Sequence, residues 1–259
     1  MPLLVSVDEL TLLLDEHDLA YESLPLISDA LWMSLNPRLR KFNYKGSIGT
    51  LRRILSPPLL DNFKPPPSLT HLVISLQVHP QCWAVRIINI AVFVAFLQCL
   101  EQTLESLSLS IPKQATSILF ELPHFPRLEH LDIRLDTCQI TPGEGVAFAS
   151  FLSTHQEYLK TLSLSLYPER SSSVRIYQDL CSISFPFLRT LVLDLTQDFI
   201  KLTQAFPHVP RLQRFVSGGR YLDKETIMKI HECASPSRPT IAHGGYPFSA
   251  DPDVQPEPW

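Results

Sequence analysis

The sequence predicts an α/β solenoid, a stack of short repeats that each add one strand to a shared parallel sheet and one helix or irregular crossing to its other side. Two observations carry that prediction. The pattern Leu-x-x-Leu-x-Leu-x-Leu, with Ile replacing some leucines, starts at Leu69, Leu104, Leu128, Leu159 and Leu188, and degenerate copies start at Leu39 and Leu212. Successive starts lie between 24 residues (Leu104 to Leu128) and 35 residues (Leu69 to Leu104) apart, the range in which one strand plus one helix or turn makes a stacking unit. In five of the seven copies a proline stands two residues before the first leucine, at Pro37, Pro67, Pro126, Pro186 and Pro210. Proline fixes φ, lacks an N–H and biases its predecessor towards extended backbone, so it marks where a connector ends and the chain turns into a strand.

Within each window, polar residues alternate with the aliphatic ones. In Leu128-Glu-His-Leu131-Asp-Ile133-Arg-Leu135, the period of two puts Leu131, Ile133 and Leu135 on one face of a strand and His130, Asp132 and Arg134 on the other. The aliphatic face is predicted to point inward. Every repeat supplies its own strand, so neighbours run parallel, the sheet lines the concave side and short helices cover the convex side.

The elements follow in order. Residues 1–38 are expected to form a helical cap or the remnant of a longer N-terminal module. Ser6-Val7-Asp8-Glu9 has capping-box spacing, with Leu10, Leu13 and Leu14 on one side of a helix, and a second helix spans Asp29 to Leu35. The repeat body runs from 39 to 234. Its first copy is Leu39, Phe42 and Tyr44 with Gly46, and the prolines at 57, 58, 65, 66 and 67 make the crossing between Leu51 and Pro67 irregular. The two copies without a leading proline follow the most helix-like connectors, Ile90 to Gln102 and Gly145 to Tyr158, where the chain runs from helix into strand. Ser117 to Leu122, Val174 to Cys181 and Asp198 to Phe206 read as short amphipathic helices, and Lys224 to Cys233 as the last helix. Six prolines in 235–259 indicate a disordered tail.

Composition bounds the function. With 259 residues and 45% hydrophobic content the chain can bury a continuous core. A net charge of −4 supplies no basic field, so neither nucleic acid nor an anionic membrane surface is an expected partner. Cys82, Cys99, Cys138, Cys181 and Cys233 are odd in number, spread out and free of any Cys-x-x-Cys pair, as for thiols in a reducing compartment. Met1 to Val7 lacks a basic n-region and is interrupted by Asp8 and Glu9, which does not make a signal peptide. A cytoplasmic or nuclear location follows. The most lipid-like run, Ala84 to Leu100, carries Arg86, Asn89 and Gln98 and falls short of the ~20 residues of a membrane span, so it is assigned to a buried solenoid helix.

The windows resemble leucine-rich repeats, and the stretch from Phe125 through Pro126, Leu128 and Leu131 to Ile133 is similar to the repeats that follow the F-box in many fungal F-box proteins. The resemblance covers residues 39 to 219. It implies a leucine-rich-repeat solenoid of about seven repeats that recognises a protein target for a cullin-type ubiquitin ligase. Two departures qualify it. After the last strand leucine, where such repeats commonly place Asn or Cys, the chain has Gln77, Pro112, Asp136, Tyr167 and Thr196, which removes the buried side-chain ladder and makes the arc irregular. An F-box usually opens on a Leu-Pro motif, and Leu24-Pro25 precedes Leu39 by too few residues to hold that module. Docking to a cullin-ligase adaptor therefore requires an F-box in a longer form of the chain.

A binding surface, if built, falls on the outward strand positions. His130, Asp132 and Arg134 form its centre, flanked by Ser106 and Ser108 on one side, Thr161 and Ser163 on the other, and Thr190 and Asp194 beyond. Equivalent side chains on adjacent strands lie about 4.8 Å apart, and small hydroxyls leave space for a partner's side chains, although the same residues suit any solvated sheet face. No catalytic residue is assigned. The chain lacks a Gly-x-Ser-x-Gly elbow, and Gly143-Glu144-Gly145 lacks the third glycine of a phosphate loop. No metal site or cofactor is expected either: His231 and Cys233, two apart on a helix, point in different directions, His124 ends a helix beside Phe125-Pro126, and His17 lies in a charged turn with Asp15 and Glu16. The expected function is a non-enzymatic protein–protein interaction module with an unidentified protein partner. The alternatives are a truncated or decaying paralogue with no selected partner, and an enzyme whose site is assembled from distant repeats.

Overall fold

A computed structural model of the chain describes residues 8–13, 39–47, 51, 68–77, 86–112, 115, 118, 121–136, 142–166, 181–195, 207–218, 224–234, 237 and 239–244. The predicted helices at 29–35 and 198–206, half of that at 117–122, all but Cys181 of that at 174–181, and the crossing after Leu51 lie outside these residues. The described chain is α/β. Its sheet has nine strands: β1 (Glu9–Leu13), β2 (Lys41–Ser47), β3 (His71–Gln77), β4 (Ser106–Pro112), β5 (His130–Asp136), β6 (Thr161–Leu166), β7 (Thr190–Leu195), β8 (Arg214–Gly218) and β9 (Thr240–Gly244). They follow one another across the sheet in chain order, and every neighbouring pair is parallel. Three helices are interposed: α1 (Arg86–Cys99) before β4, α2 (Pro142–His155) before β6 and α3 (Lys224–Cys233) before β9. This arrangement is consistent with a solenoid-like stack.

Strands β2 to β8 coincide with the seven sequence windows, and the period of two decides what each buries. Leu72, Leu107, Leu131, Leu162, Leu191 and Phe215 stand in one register line across six strands, and all are enclosed. The leucine that opens each copy, from Leu39 to Leu212, is 0% exposed in all seven. Each such side chain contributes roughly 1.5–3 kcal/mol by leaving water. Where Tyr44 replaces a leucine, its buried hydroxyl is satisfied by donating to the Ser47 carbonyl at 2.7 Å. Helix α1 adds Phe93, Phe96 and Leu97, and α2 adds Phe148 and Leu152, to the same apolar cluster.

The leading prolines have a more specific task than stopping a helix. In Phe125-Pro126-Arg127-Leu128, Phe185-Pro186-Phe187-Leu188 and Val209-Pro210-Arg211-Leu212, the leucine N–H donates to the carbonyl three residues back at 3.1, 3.3 and 3.0 Å. Proline thus occupies the second position of a hydrogen-bonded β-turn, where its fixed φ is already correct. Phe125, Phe185 and Val209 are buried, while the third turn residue is left at the tip. At the two copies without proline, Leu104 and Leu159 donate to Leu100 and His155, so the helical end itself feeds the strand.

Two expectations are corrected at the ends of the sheet. The helix expected over Leu10 and Leu13 is strand β1 (Leu14 lies outside the described residues). Glu9-Leu-Thr-Leu-Leu13 alternates as well as any window, with Leu10 and Leu12 turned to the core. Pairing with β2 also satisfies backbone groups that a cap helix would leave open: Arg40 and Lys41 N–H both donate to the Asp8 carbonyl at 2.8 and 3.0 Å. Glu9 adds a 3.0 Å ion pair to Lys41 and accepts from Asn43 at 2.7 Å. At the other end, within the tail expected to be disordered, Thr240–Gly244 form β9, and residues 245–259 lie outside the described residues. Pro239 precedes this edge strand where its missing N–H costs one bond, and Thr240 N–H still donates to the Gln213 carbonyl at 2.7 Å. Ser237 anchors the approach, its single hydroxyl proton lying between the carbonyls of Ala234 at 2.7 Å and Pro210 at 3.0 Å. Proline content alone could not distinguish this strand launch from disorder.

Leu131→Ala should lower unfolding free energy by about 2–5 kcal/mol through the cavity it leaves, whereas Thr161→Ala on the outward face should cost less than about 1 kcal/mol. Urea denaturation of both variants checks the assigned faces, and equal losses would contradict them.

Candidate functional site

The outward positions form three rows across the strands. His71, Ser106, His130, Thr161 and Thr190 share the first; Ser108, Asp132, Ser163 and Val192 the second; Ser110, Arg134, Ser165 and Asp194 the third. Register therefore brings all nine predicted binding residues onto one continuous face.

Asp132 is the hub of its centre. Its Oδ2 accepts from Ser108 Oγ on β4 at 2.9 Å and from Arg134 Nη2 at 3.0 Å, while its Oδ1 has no donor among the described residues. Arg134 is thereby held flat along the face by a charge-assisted bond. The hydroxyls of Ser106, Thr161 and Ser163 surround the pair and are partly exposed, which gives a shallow patch able to exchange hydrogen bonds with a polar surface. Burial lowers the pKa of the His130 imidazole below its usual range; Glu129 opposes this, the His71 and Lys160 charges reinforce it, and Glu105 opposes it more weakly. The face therefore presents neutral histidine beside one carboxylate and one guanidinium.

The third row departs from expectation. Ser165 is only 5% exposed and Asp194 only 7%, so neither is as accessible as alternation alone suggests. For Asp194 the reason is its neighbour: Gly218 lies opposite on β8, and a β-carbon built there would overlap the carboxylate, with Cγ 2.6 Å away. The aspartate packs into space that only glycine leaves, which makes it part of the structure rather than of an open surface.

Sequence reasoning passed over His155, a fully buried imidazole. It is 0% exposed at the end of α2. Its Nε2 accepts the Phe125 N–H at 2.9 Å, so Nδ1 carries the proton and donates to the Phe151 carbonyl at 2.7 Å. The ring thus ties the last turn of α2 to the turn that launches β5, packed against His124 and Phe151. Burial lowers its pKa; the Phe151 bond opposes this and the His124 charge reinforces it. The run of Thr154 and His155 before a helix end gives no sequence signal for a contact 30 residues upstream.

The cysteines within the described residues are free thiols. Burial raises the pKa of all three, and that of Cys181 to about 11 with a contribution from Cys233, so they are poor nucleophiles. Among the described residues no three His, Cys, Asp or Glu side chains group as a metal would require, and no helix is long and apolar enough to cross a membrane. Helix α1, with Ile90 to Leu97 largely buried, occupies the lipid-like run. His231 and Cys233 fall on α3, whereas His124, expected to end a helix, lies in irregular chain on the approach to β5. No protein-family model and no curated protein matches this chain.

Because His155 is held neutral in the fold, its contribution is complete above the ordinary imidazole value of 6.5 and is lost as pH falls below it towards the lowered folded value. His155→Ala should cost about 1–3 kcal/mol at neutral pH by orphaning the Phe125 N–H and should weaken the acid sensitivity. Urea unfolding of both proteins at about pH 7.5 and about pH 5.5 measures this; a mutant as acid-sensitive as wild type would remove His155 as the cause.

Proposed function

We propose that the chain is a non-enzymatic leucine-rich-repeat module of the cytoplasm or nucleus that binds another protein through the outward face of its sheet. The observation that carries this reading is the Ser108–Asp132–Arg134 network, a fixed pair of opposite charges in the middle of a face otherwise built from small hydroxyls. Polar networks of this kind specify a partner by complementary charge and hydrogen bonding more than by area. The sequence resemblance supports a role as the target-recognition part of an F-box-like ubiquitin-ligase adaptor, and a cullin adaptor becomes a second partner only where a longer form supplies an F-box. The poorly nucleophilic thiols and the structural role of His155 favour binding over a composite catalytic site.

Arg134→Glu and Ser163→Arg should each weaken a partner identified by affinity capture at least about tenfold, equivalent to about 1.4 kcal/mol, with unchanged melting temperature. Met228→Arg, on exposed α3 surface, should leave capture intact. Retention by both sheet-face variants would move the site elsewhere, and failure of any cullin adaptor to copurify with the longest transcript product would remove the ligase arm.

A further inference from the structure

A second surface lies along the rim where the strands begin. A depression of about 460 Å³ opens there at the level of β4 to β8, and every residue lining it flanks the opening leucine of a repeat. The turn tips supply one column, with Arg127, Tyr158, Phe187 and Arg211 each immediately before that leucine. The residues immediately after it supply the other, Glu105, Glu129, Lys160 and Arg189. Neither column was read from the sequence, where attention fell on the strand interiors.

The two columns make a built surface rather than a scatter of side chains. Tyr158 and Phe187, which both line the depression, are 45% and 42% exposed. Exposed aromatics beside arginine are the residue types that dominate the centres of protein interfaces. Arg211 sits over the Phe187 ring, its Cζ 4.8 Å from the centroid, a cation–π contact that positions the guanidinium. Charge changes along the lining: the repeats of β4 and β5 contribute Glu105, Glu129 and Arg127, that of β6 contributes Glu157 and Lys160, and those of β7 and β8 contribute Arg189 and Arg211 with no carboxylate. Lys160, between them, is occupied by Glu129 at 2.6 Å.

We propose that this rim groove docks an extended segment of a partner protein, with an acidic side chain at the Arg189–Arg211 end, an apolar side chain on Tyr158 and Phe187, and a basic side chain towards Glu105 and Glu129. Neither Arg189 nor Arg211 makes an ion pair among the described residues, and a guanidinium fits a carboxylate bidentately. Four strand steps span about 19 Å, the length of roughly six extended residues. The three carboxylates of the lining and the net charge of −4 disfavour a polyanion such as nucleic acid. The groove extends the interaction-module reading to a second surface and does not require the sheet face to be used.

The test is fluorescence anisotropy of the full chain with a fluorescein-labelled peptide, Gly-Lys-Ser-Leu-Phe-Asp-Glu-Gly. Saturable binding is expected, at least tenfold weaker for the peptide with Asn and Gln in place of Asp and Glu, and at least tenfold weaker for the Arg189→Glu, Arg211→Glu protein. If charge reversal unfolds the chain, Arg189→Gln with Arg211→Gln takes its place. Arg134→Glu should bind the peptide as wild type does, which separates this groove from the sheet face. No saturation at millimolar peptide, equal affinity for the amide peptide, equal affinity of the arginine variants, or equal competition by heparin would overturn the proposal.

Discussion

The fold rests on one constraint: no single repeat of this chain can bury its own aliphatic face, so each does so against the repeats on either side. A parallel ladder enforces it, because a strand bonds to both neighbours while its inward side chains meet those of the same rank one strand away. Leu131 packs in register with Leu107 and Leu162, and the same relation propagates from β1 to β9. The ends are where the constraint bites hardest. At both ends the chain continues the ladder with one more strand whose inward residues are only partly covered, Leu10 and Leu12 at one edge and Ile241 at the other.

That constraint also explains which parts of the structure were legible. Strands β2 to β8 could be read because their alternation is strict and their leucines repeat at equivalent places; α1, α2 and α3 could be read from longer apolar or amphipathic runs. Strand β1 was missed because Ser6-Val7-Asp8-Glu9 imitates a helix start, whereas its five residues owe their conformation to the open edge of β2. Strand β9 was missed because prolines at 236 and 239 resemble those of a disordered tail, and because one aliphatic residue, Ile241, is too little pattern to detect. Both errors have a common origin in tertiary pairing that local sequence does not encode.

The candidate surface shows a similar division. Register predicted that His130, Asp132, Arg134 and their hydroxyl neighbours would share a face, and they do. What alternation could not convey is how side chains lean. Asp194 is enclosed because a glycine on the next strand yields space to it, and Arg134 is directed by Asp132 two residues earlier. The rim groove lay beyond reach for a different reason: three of its residues, Arg127, Phe187 and Arg211, are at turn tips whose geometry depends on proline at the second turn position, and they line one groove only once the repeats stack. His155 belongs with them, a helix-end residue whose partner, the Phe125 amide, is supplied by the preceding connector.

The central claim is that residues two apart enter a shared interior while the interleaved ones face solvent, and consecutive cysteine substitution through β5 measures it directly. Single cysteines at positions 130 to 135 are labelled with a thiol reagent under native conditions, and the rate at each site is followed by peptide mass spectrometry. The expected result is a two-residue oscillation, with positions 131, 133 and 135 slow and positions 130, 132 and 134 fast. Rates that are uniform, or that vary with the three-to-four-residue period of a helix, would contradict the account.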